Sequence, residues 1–135
     1  MNLRNRNRRF IACAAAIVAF GLAVWSGCQS IPTGLKLTDL SGWVYVQPNP
    51  VGVGEANTRY SFIFNSHPTD TAYVDSCTID TLHFNMSFRV APRDTQPAVE
   101  ESGRTYPAVG TYVHTLTYYT TIGTLVCPPC TVKVE

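Results

Sequence analysis

The sequence predicts an all-β fold: a small antiparallel sandwich standing behind an N-terminal signal helix. Three observations point there. From Gly42 onward, aromatic and β-branched residues come in short alternating runs. Prolines, glycines, asparagines and aspartates punctuate those runs, and no window after the N-terminal apolar segment repeats with a 3.6-residue period. Six or seven short strands in the space available leave little choice but two packed antiparallel layers.

The N-terminus is a different texture. MNLRNRNRRF carries Arg4, Arg6, Arg8 and Arg9 and no acid, and Phe10 to Trp25 then runs without a charge. A basic head, an apolar run and a small-residue end form the layout of a secretory signal over residues 1–27. The competing reading is an uncleaved anchor, although the run is at the short edge of the roughly 17–25 residues that span a bilayer. Either way the arginines stay on the cytoplasmic side and everything after Cys28 lies outside the cytoplasm. Arg8-Arg9 followed by Phe10-Ile11-Ala12 is out of step with a twin-arginine signal.

Ser26-Gly27-Cys28, directly after the apolar run, resembles the lipobox of bacterial lipoproteins. The resemblance implies that Cys28 is the lipidation site, that the chain is cut between Gly27 and Cys28, and that acyl chains tether the protein to the cell envelope. Trp25 departs from the smaller aliphatic usual at its position, and Gln29 is not the aspartate that holds lipoproteins at the inner membrane in enteric-type sorting. The outer membrane or cell surface is the expected location. Two or three acyl chains anchor far more firmly than one, since each buried methylene contributes about 0.8 kcal/mol.

Residues 28–41 read as a tether, with Pro32, Gly34 and scattered polar residues, reaching roughly 20 Å if flexible. Alternatively Leu35, Leu37 and Leu40 add an edge strand. The domain proper is expected over 42–135. Trp43 to Gln47 is a strand, ended by Pro48-Asn49-Pro50. Ala56 to Asn65 places Tyr60, Phe62 and Phe64 on one face, and Ser66 to Asp70 is loop chemistry. Cys77 to Val90 sets Leu82, Phe84, Met86 and Phe88 against His83, Asn85, Ser87 and Arg89, the cleanest half-buried alternation in the chain. Ala91 to Arg104 holds two prolines, a glycine and most of the local charge, and reads as a long loop. Gly110 to Tyr119 is a further strand, followed by a turn near Gly123, then TLV, CPPC and TVKVE.

YPAVGTYVHTLTYY, with the closing TVKVE, is similar to the last strands of PKD-type and other immunoglobulin-like repeats of bacterial surface proteins. The resemblance covers a short stretch, lacks the Trp-Asp-Phe-Gly-Asp-Gly signature, and implies an immunoglobulin-like sandwich without implying a site.

Beyond the signal, six basic residues face nine acids, a net charge of −3. Charge and compartment both argue against a nucleic-acid partner. Cys77, Cys127 and Cys130 are the disulfide candidates in an oxidising compartment. A bridge from Cys77 to the CPPC segment would close a loop worth roughly 4 kcal/mol on the chain-entropy estimate, and is the favoured pairing. CPPC also suggests thiol redox chemistry, but Cys130 is followed by TVKVE and not by the helix that activates such a motif. His67, His83 and His114 with the cysteines show no metal-ligand spacing, so no metal or other cofactor is expected. Glu100-Glu101, Asp70, Asp75 and Asp80 read as solvated loop and strand-end charges. Gly52 and Gly54 lack the strand-to-helix setting of a phosphate loop, and no nucleophile or metallopeptidase motif is present. The sequence therefore favours a non-catalytic binding or scaffolding lipoprotein, with an envelope protein or glycan as partner, contacted through loops 66–70 and 91–107. The alternative is a small thiol-redox or metal-handling lipoprotein using Cys77, Cys127 and Cys130.

Overall fold

The computed structural model describes residues 34–135. The signal segment and Cys28 lie outside the described residues. In chain order the strands are β1 (Leu40–Gln47), β2 (Asn57–Asn65), β3 (Ala72–Ile79), β4 (Leu82–Val90), β5 (Asp94–Arg104), β6 (Gly110–His114), β7 (Leu116–Thr120), β8 (Gly123–Val126) and β9 (Cys130–Val134). The single helical turn among the described residues is a 3-10 turn at Leu37–Asp39.

All strand pairs are antiparallel, in sheets ordered β1-β2-β5, β4-β3-β7-β8 and β6-β9. Only Thr115 separates β6 from β7, and only Cys127 to Pro129 separates β8 from β9. The last two sheets are therefore two halves of one layer, in which a long β6–β7 strand pairs with a long β8–β9 strand. Val51 adds a parallel bridge to Val134 at the far side. Three strands facing this four-strand layer form an immunoglobulin-like sandwich, as the sequence predicts. Tyr112 supplies a further mark of that architecture. At the start of the β6–β7 strand its hydroxyl donates to the Ala108 carbonyl four residues upstream at 3.0 Å, the corner tyrosine of such domains.

The inner faces carry the core. Leu40, Val44 and Ile63 meet Val74, Cys77, Ile79, Val90, Leu116 and Tyr118 across the sandwich. A smaller cluster of Val46, Val51, Tyr106, Val132 and Val134 closes the other end. Each fully buried side chain of this size stabilises the fold by about 1.5–3 kcal/mol relative to exposure. The run expected as one strand from Cys77 to Val90 is broken by a turn at Asp80 and Thr81 into β3 and β4, and Leu82 beside the turn is exposed. From Phe84 onward β4 keeps the predicted alternation, with Phe84, Met86 and Phe88 packed on the core but only partly buried, since β4 is the edge strand of its sheet.

Two sequence expectations change. The loop expected at 91–104 is mostly strand β5, paired along β2 from Asn65↔Asp94 to Asn57↔Arg104. It tolerates Pro97 because it is an edge strand. The ladder also shifts register between Ser61 and Phe62 and again near Asn57, which takes up the irregular residues. The segment left open between tether and added strand joins the domain from Gly34. Leu35 and Leu40 are buried in the core, Leu37 packs against it, and Leu40 opens β1.

Candidate functional site

β1 and β2 present their aromatic residues outward. On β1 the inward positions are Leu40, Gly42, Val44 and Val46, which leaves Trp43 and Tyr45 on the solvent face, 39% and 38% exposed. On β2 the inward positions are Asn57, Arg59, Ser61, Ile63 and Asn65, so Tyr60, Phe62 and Phe64 share that outer face. The register sets Trp43 opposite Phe62 and Tyr45 opposite Tyr60. The rings form a continuous column: Trp43 to Phe62 at 5.6 Å, Phe62 to Tyr45 at 5.9 Å, Tyr45 to Tyr60 at 5.0 Å between centroids, with planes within 22° of parallel. Cross-strand aromatic pairs stabilise a sheet by roughly 0.2–1 kcal/mol each, which explains their mutual contact but not their exposure as a group. Glu100 stands opposite Tyr60 and Pro97 opposite Phe62 on the neighbouring strand.

The inward face of β2 holds the chemistry that the aromatic face lacks. Arg59 is wholly buried, and its guanidinium donates to Asp80 Oδ2 at 2.5 Å and to Glu101 Oε2. Arg104 donates to the other oxygen of Glu101 at 3.2 Å. His114 Nδ1 lies 2.8 Å from Asp80 Oδ2 and its Nε2 lies 2.7 Å from the Tyr106 hydroxyl. An Nδ1–H tautomer satisfies both contacts, donating to the carboxylate and accepting from the phenol. Burial alone would raise the Asp80 pKa. The His114 and Thr115 hydrogen bonds and the charge of Arg59 outweigh it, so the carboxyl is held below its usual value. Glu101 is likewise lowered, with burial overcome by the hydrogen bonds and charges of Arg59 and Arg104. Burial raises Tyr106.

Backbone geometry fixes this network. Asp80 sits at the tip of the β3–β4 hairpin with φ 56, a left-handed conformation that an aspartate tolerates better than most side chains. Its N–H donates to the Thr115 carbonyl at 2.9 Å and its Oδ1 accepts from the Thr115 N–H at 2.9 Å. The hairpin tip is thereby clamped onto the residue between β6 and β7. In antibody domains the second cysteine of the inter-sheet disulfide follows the corner tyrosine by two residues. Here that place is His114, and Arg59 Nη1 approaches its Nδ1 to 3.4 Å from the opposing sheet. A buried polar pin stands where antibody domains carry a covalent one.

Among the described residues, Cys77, Cys127 and Cys130 are free thiols. Cys77 lies opposite Tyr118, and Tyr118 opposite Leu125, while the Cys127 N–H bonds the Leu116 carbonyl. Cys77 and Cys127 are thus two strands apart and offset by two residues, roughly 12 Å between Cα atoms by standard sheet spacings. A disulfide needs less than about 7 Å, so this register does not join Cys77 to Cys127. Cys130 begins β9 opposite His114, and the Val46 backbone N–H meets its sulfur. Burial pushes the Cys77 and Cys127 thiols up to about 11, and Cys130 upward as well. That is opposite to the lowered pKa of a reactive thiol.

The remaining candidates disperse. His67 accepts the Asp70 N–H at 2.9 Å in its own loop, and His83 lies on the outer face of β4 against Thr78 and Asn85. Among the described residues no three His, Cys, Asp or Glu side chains converge as a metal would require. Gly52 donates its N–H to Glu55 Oε2 within a turn. Glu100 and Glu101, which the sequence treats alike, point to opposite faces: Glu100 to the aromatic side, Glu101 to Arg59. The alternation of β2 is a legible signal; which of its sides faces water, and the ion pairs of Arg59, are not, because the partners of Arg59 are 21 and 42 residues away.

No family model matches the chain, nor does any curated protein. Among solved structures, the chain is similar to the Pseudomonas fluorescens alkylpurine DNA glycosylase AlkC bound to DNA containing an abasic site analog, at 10% identity and a TM-score of 0.42. That likeness covers 72% of this chain and 30% of the other. The chain thus spans under a third of that protein's length, and the likeness carries no argument about function.

Proposed function

We propose that this chain is a lipid-anchored envelope protein whose sandwich is a non-catalytic binding module, and that its contact surface is the outer face of β1, β2 and β5. One observation carries the reading: a continuous column of four aromatic rings on one sheet face, with Trp43 and Tyr45 more than a third exposed. Aromatic side chains dominate binding hot spots because they contribute large contact area at low entropic cost. The buried Arg59 network supports a different role, rigidity, since its charges already satisfy one another inside the fold. Of the two loops the sequence offers as contacts, most of 91–107 is strand and 66–70 remains a loop without a comparable aromatic cluster, which favours the sheet face.

The test is retention of envelope components on immobilised full-length protein. A component held by the wild type should be lost from a Trp43→Ala/Tyr45→Ala variant and kept by His83→Ala/Asn85→Ala, which alters the outer face of β4. Equal retention by all three proteins would overturn the assignment of this face.

A further inference from the structure

We infer that the ligand of this face is a neutral glycan, an inference that rests on the face being the binding surface. Antiparallel register arranges the outer side chains as four rows across β1, β2 and β5. They are Ser41–Phe64–Thr95, Trp43–Phe62–Pro97, Tyr45–Tyr60–Glu100 and Gln47–Thr58–Ser102. Rings and a proline fill the centre; Ser41 and Thr95 flank Phe64 at one end, and Gln47, Thr58 and Ser102 form the other, where Thr58 Oγ1 lies 3.2 Å from Ser102 Oγ. A pyranose has the matching anatomy. Its C–H face is apolar and packs on an aromatic ring, while its equatorial hydroxyls seek neutral donors and acceptors at the edge. The three aromatic rows extend roughly 13 Å along the strands at the usual rise per residue, the reach of a short oligosaccharide.

Charge separates a glycan from a lipid surface or a nucleic acid strand as the occupant of an aromatic face. Glu100 is the one ionised side chain in the four rows. Lipid surfaces and nucleic acid strands are held by lysines and arginines beside the aromatic residues. The two arginines of these strands do not serve: Arg59 is buried beneath the sheet and Arg104 is paired to Glu101. A hydroxyl-edged aromatic face with no free cation and a single carboxylate complements an uncharged, hydroxyl-edged polymer.

The experiment is isothermal titration of the full-length protein, held in a sugar-free detergent, with cellohexaose and chitohexaose as neutral probes and polygalacturonate as an anionic one. At least one neutral probe should bind saturably and without sensitivity to added salt, and polygalacturonate should not. Trp43→Ala and Tyr45→Ala should each weaken binding by about tenfold, the scale of a central aromatic contact, while each lost ring contact lowers the melting temperature by roughly 1–8 °C and leaves the domain folded at the titration temperature. Trp43→Phe should recover part of the loss. Silence with both neutral probes, or binding indifferent to Trp43→Ala, overturns the inference. If envelope capture still depends on Trp43 while both probes are silent, the glycan fails and the face stands. If capture ignores Trp43 as well, both fail. A concentration-dependent dimer abolished by Trp43→Ala would make a second copy of the chain the occupant and likewise overturn the glycan.

Discussion

Asp80→Asn isolates the charge of the buried pin. The substitution keeps side-chain size and tolerates the left-handed backbone at φ 56. Asp80 Oδ2 accepts from Arg59 and His114 while Oδ1 accepts from the Thr115 N–H. An amide has one oxygen and one NH2, so whichever way the substituted side chain turns, a donor faces a donor. Arg59 retains Glu101 but stays wholly buried, with part of its charge uncompensated. Removing one partner of a buried pair costs about 3–5 kcal/mol, and the 28% exposure of Asp80 places this case near 3 kcal/mol. For a domain of this size that lowers the melting temperature by roughly 12–24 °C. The pH dependence carries the sign. The folded-state pKa of Asp80 is depressed, so its contribution is present above the ordinary carboxyl value of 3.8 and is lost as pH falls through the lower folded value. Urea unfolding at pH 7 and at pH 3 should therefore show a penalty that shrinks in acid. A difference under about 0.5 kcal/mol at pH 7 would place Asp80 among ordinary surface ion pairs and refute the pin. A penalty of equal size at both pH values would refute its electrostatic origin.

Three further outcomes are expected. An alanine Cβ at Gly42 would stand 2.6 Å from Cys127 Sγ and 2.9 Å from the Tyr118 ring, so Gly42→Ala should destabilise by about 1–3 kcal/mol. Cys127→Ala should restore part of that stability, and additive losses in thermal melts would contradict the contact. Cys77 and Cys127, at about 11 and buried, hold about a hundredfold less thiolate than an unshifted cysteine. Alkylation without reductant should label Cys130 first and the other two only in denaturant, and native labelling of all three at one rate would contradict the packing. The intact mass of the membrane-extracted protein should match Cys28 to Glu135 plus acyl chains if lipid is the anchor, whereas a mass retaining residues 1–27 would make residues 10–25 the anchor.

The β architecture is legible because alternation survives in each strand whatever its partners are. β4 illustrates this: Phe84, Met86 and Phe88 on one face and His83, Asn85 and Ser87 on the other are visible in sequence and in structure alike. β2 shows the limit. Its alternation is plain, but the side that faces the core is the one with Asn57, Arg59, Ser61 and Asn65, and the rings face water. Local hydrophobicity cannot foresee that, because Arg59 is stabilised inside by carboxylates from β5 and from the β3–β4 turn. β5 hides for the same reason: Pro97, Glu101 and Gly103 look like loop residues until an edge position, a buried arginine and a register shift accommodate them. The cysteine pairing hinges on register between β3, β7 and β8, which spacing along the chain does not encode.

The most direct test of the binding face is hydroxyl-radical footprinting of the full-length protein with and without its own envelope fraction. Trp43, Tyr45 and Tyr60 should be oxidised in the free protein and protected when the envelope is added. Tyr73 and Tyr119, exposed at 46% and 39% on the opposite sheet, should react equally in both. Protection of Tyr73 or Tyr119 with none at Trp43 and Tyr45 would contradict the account.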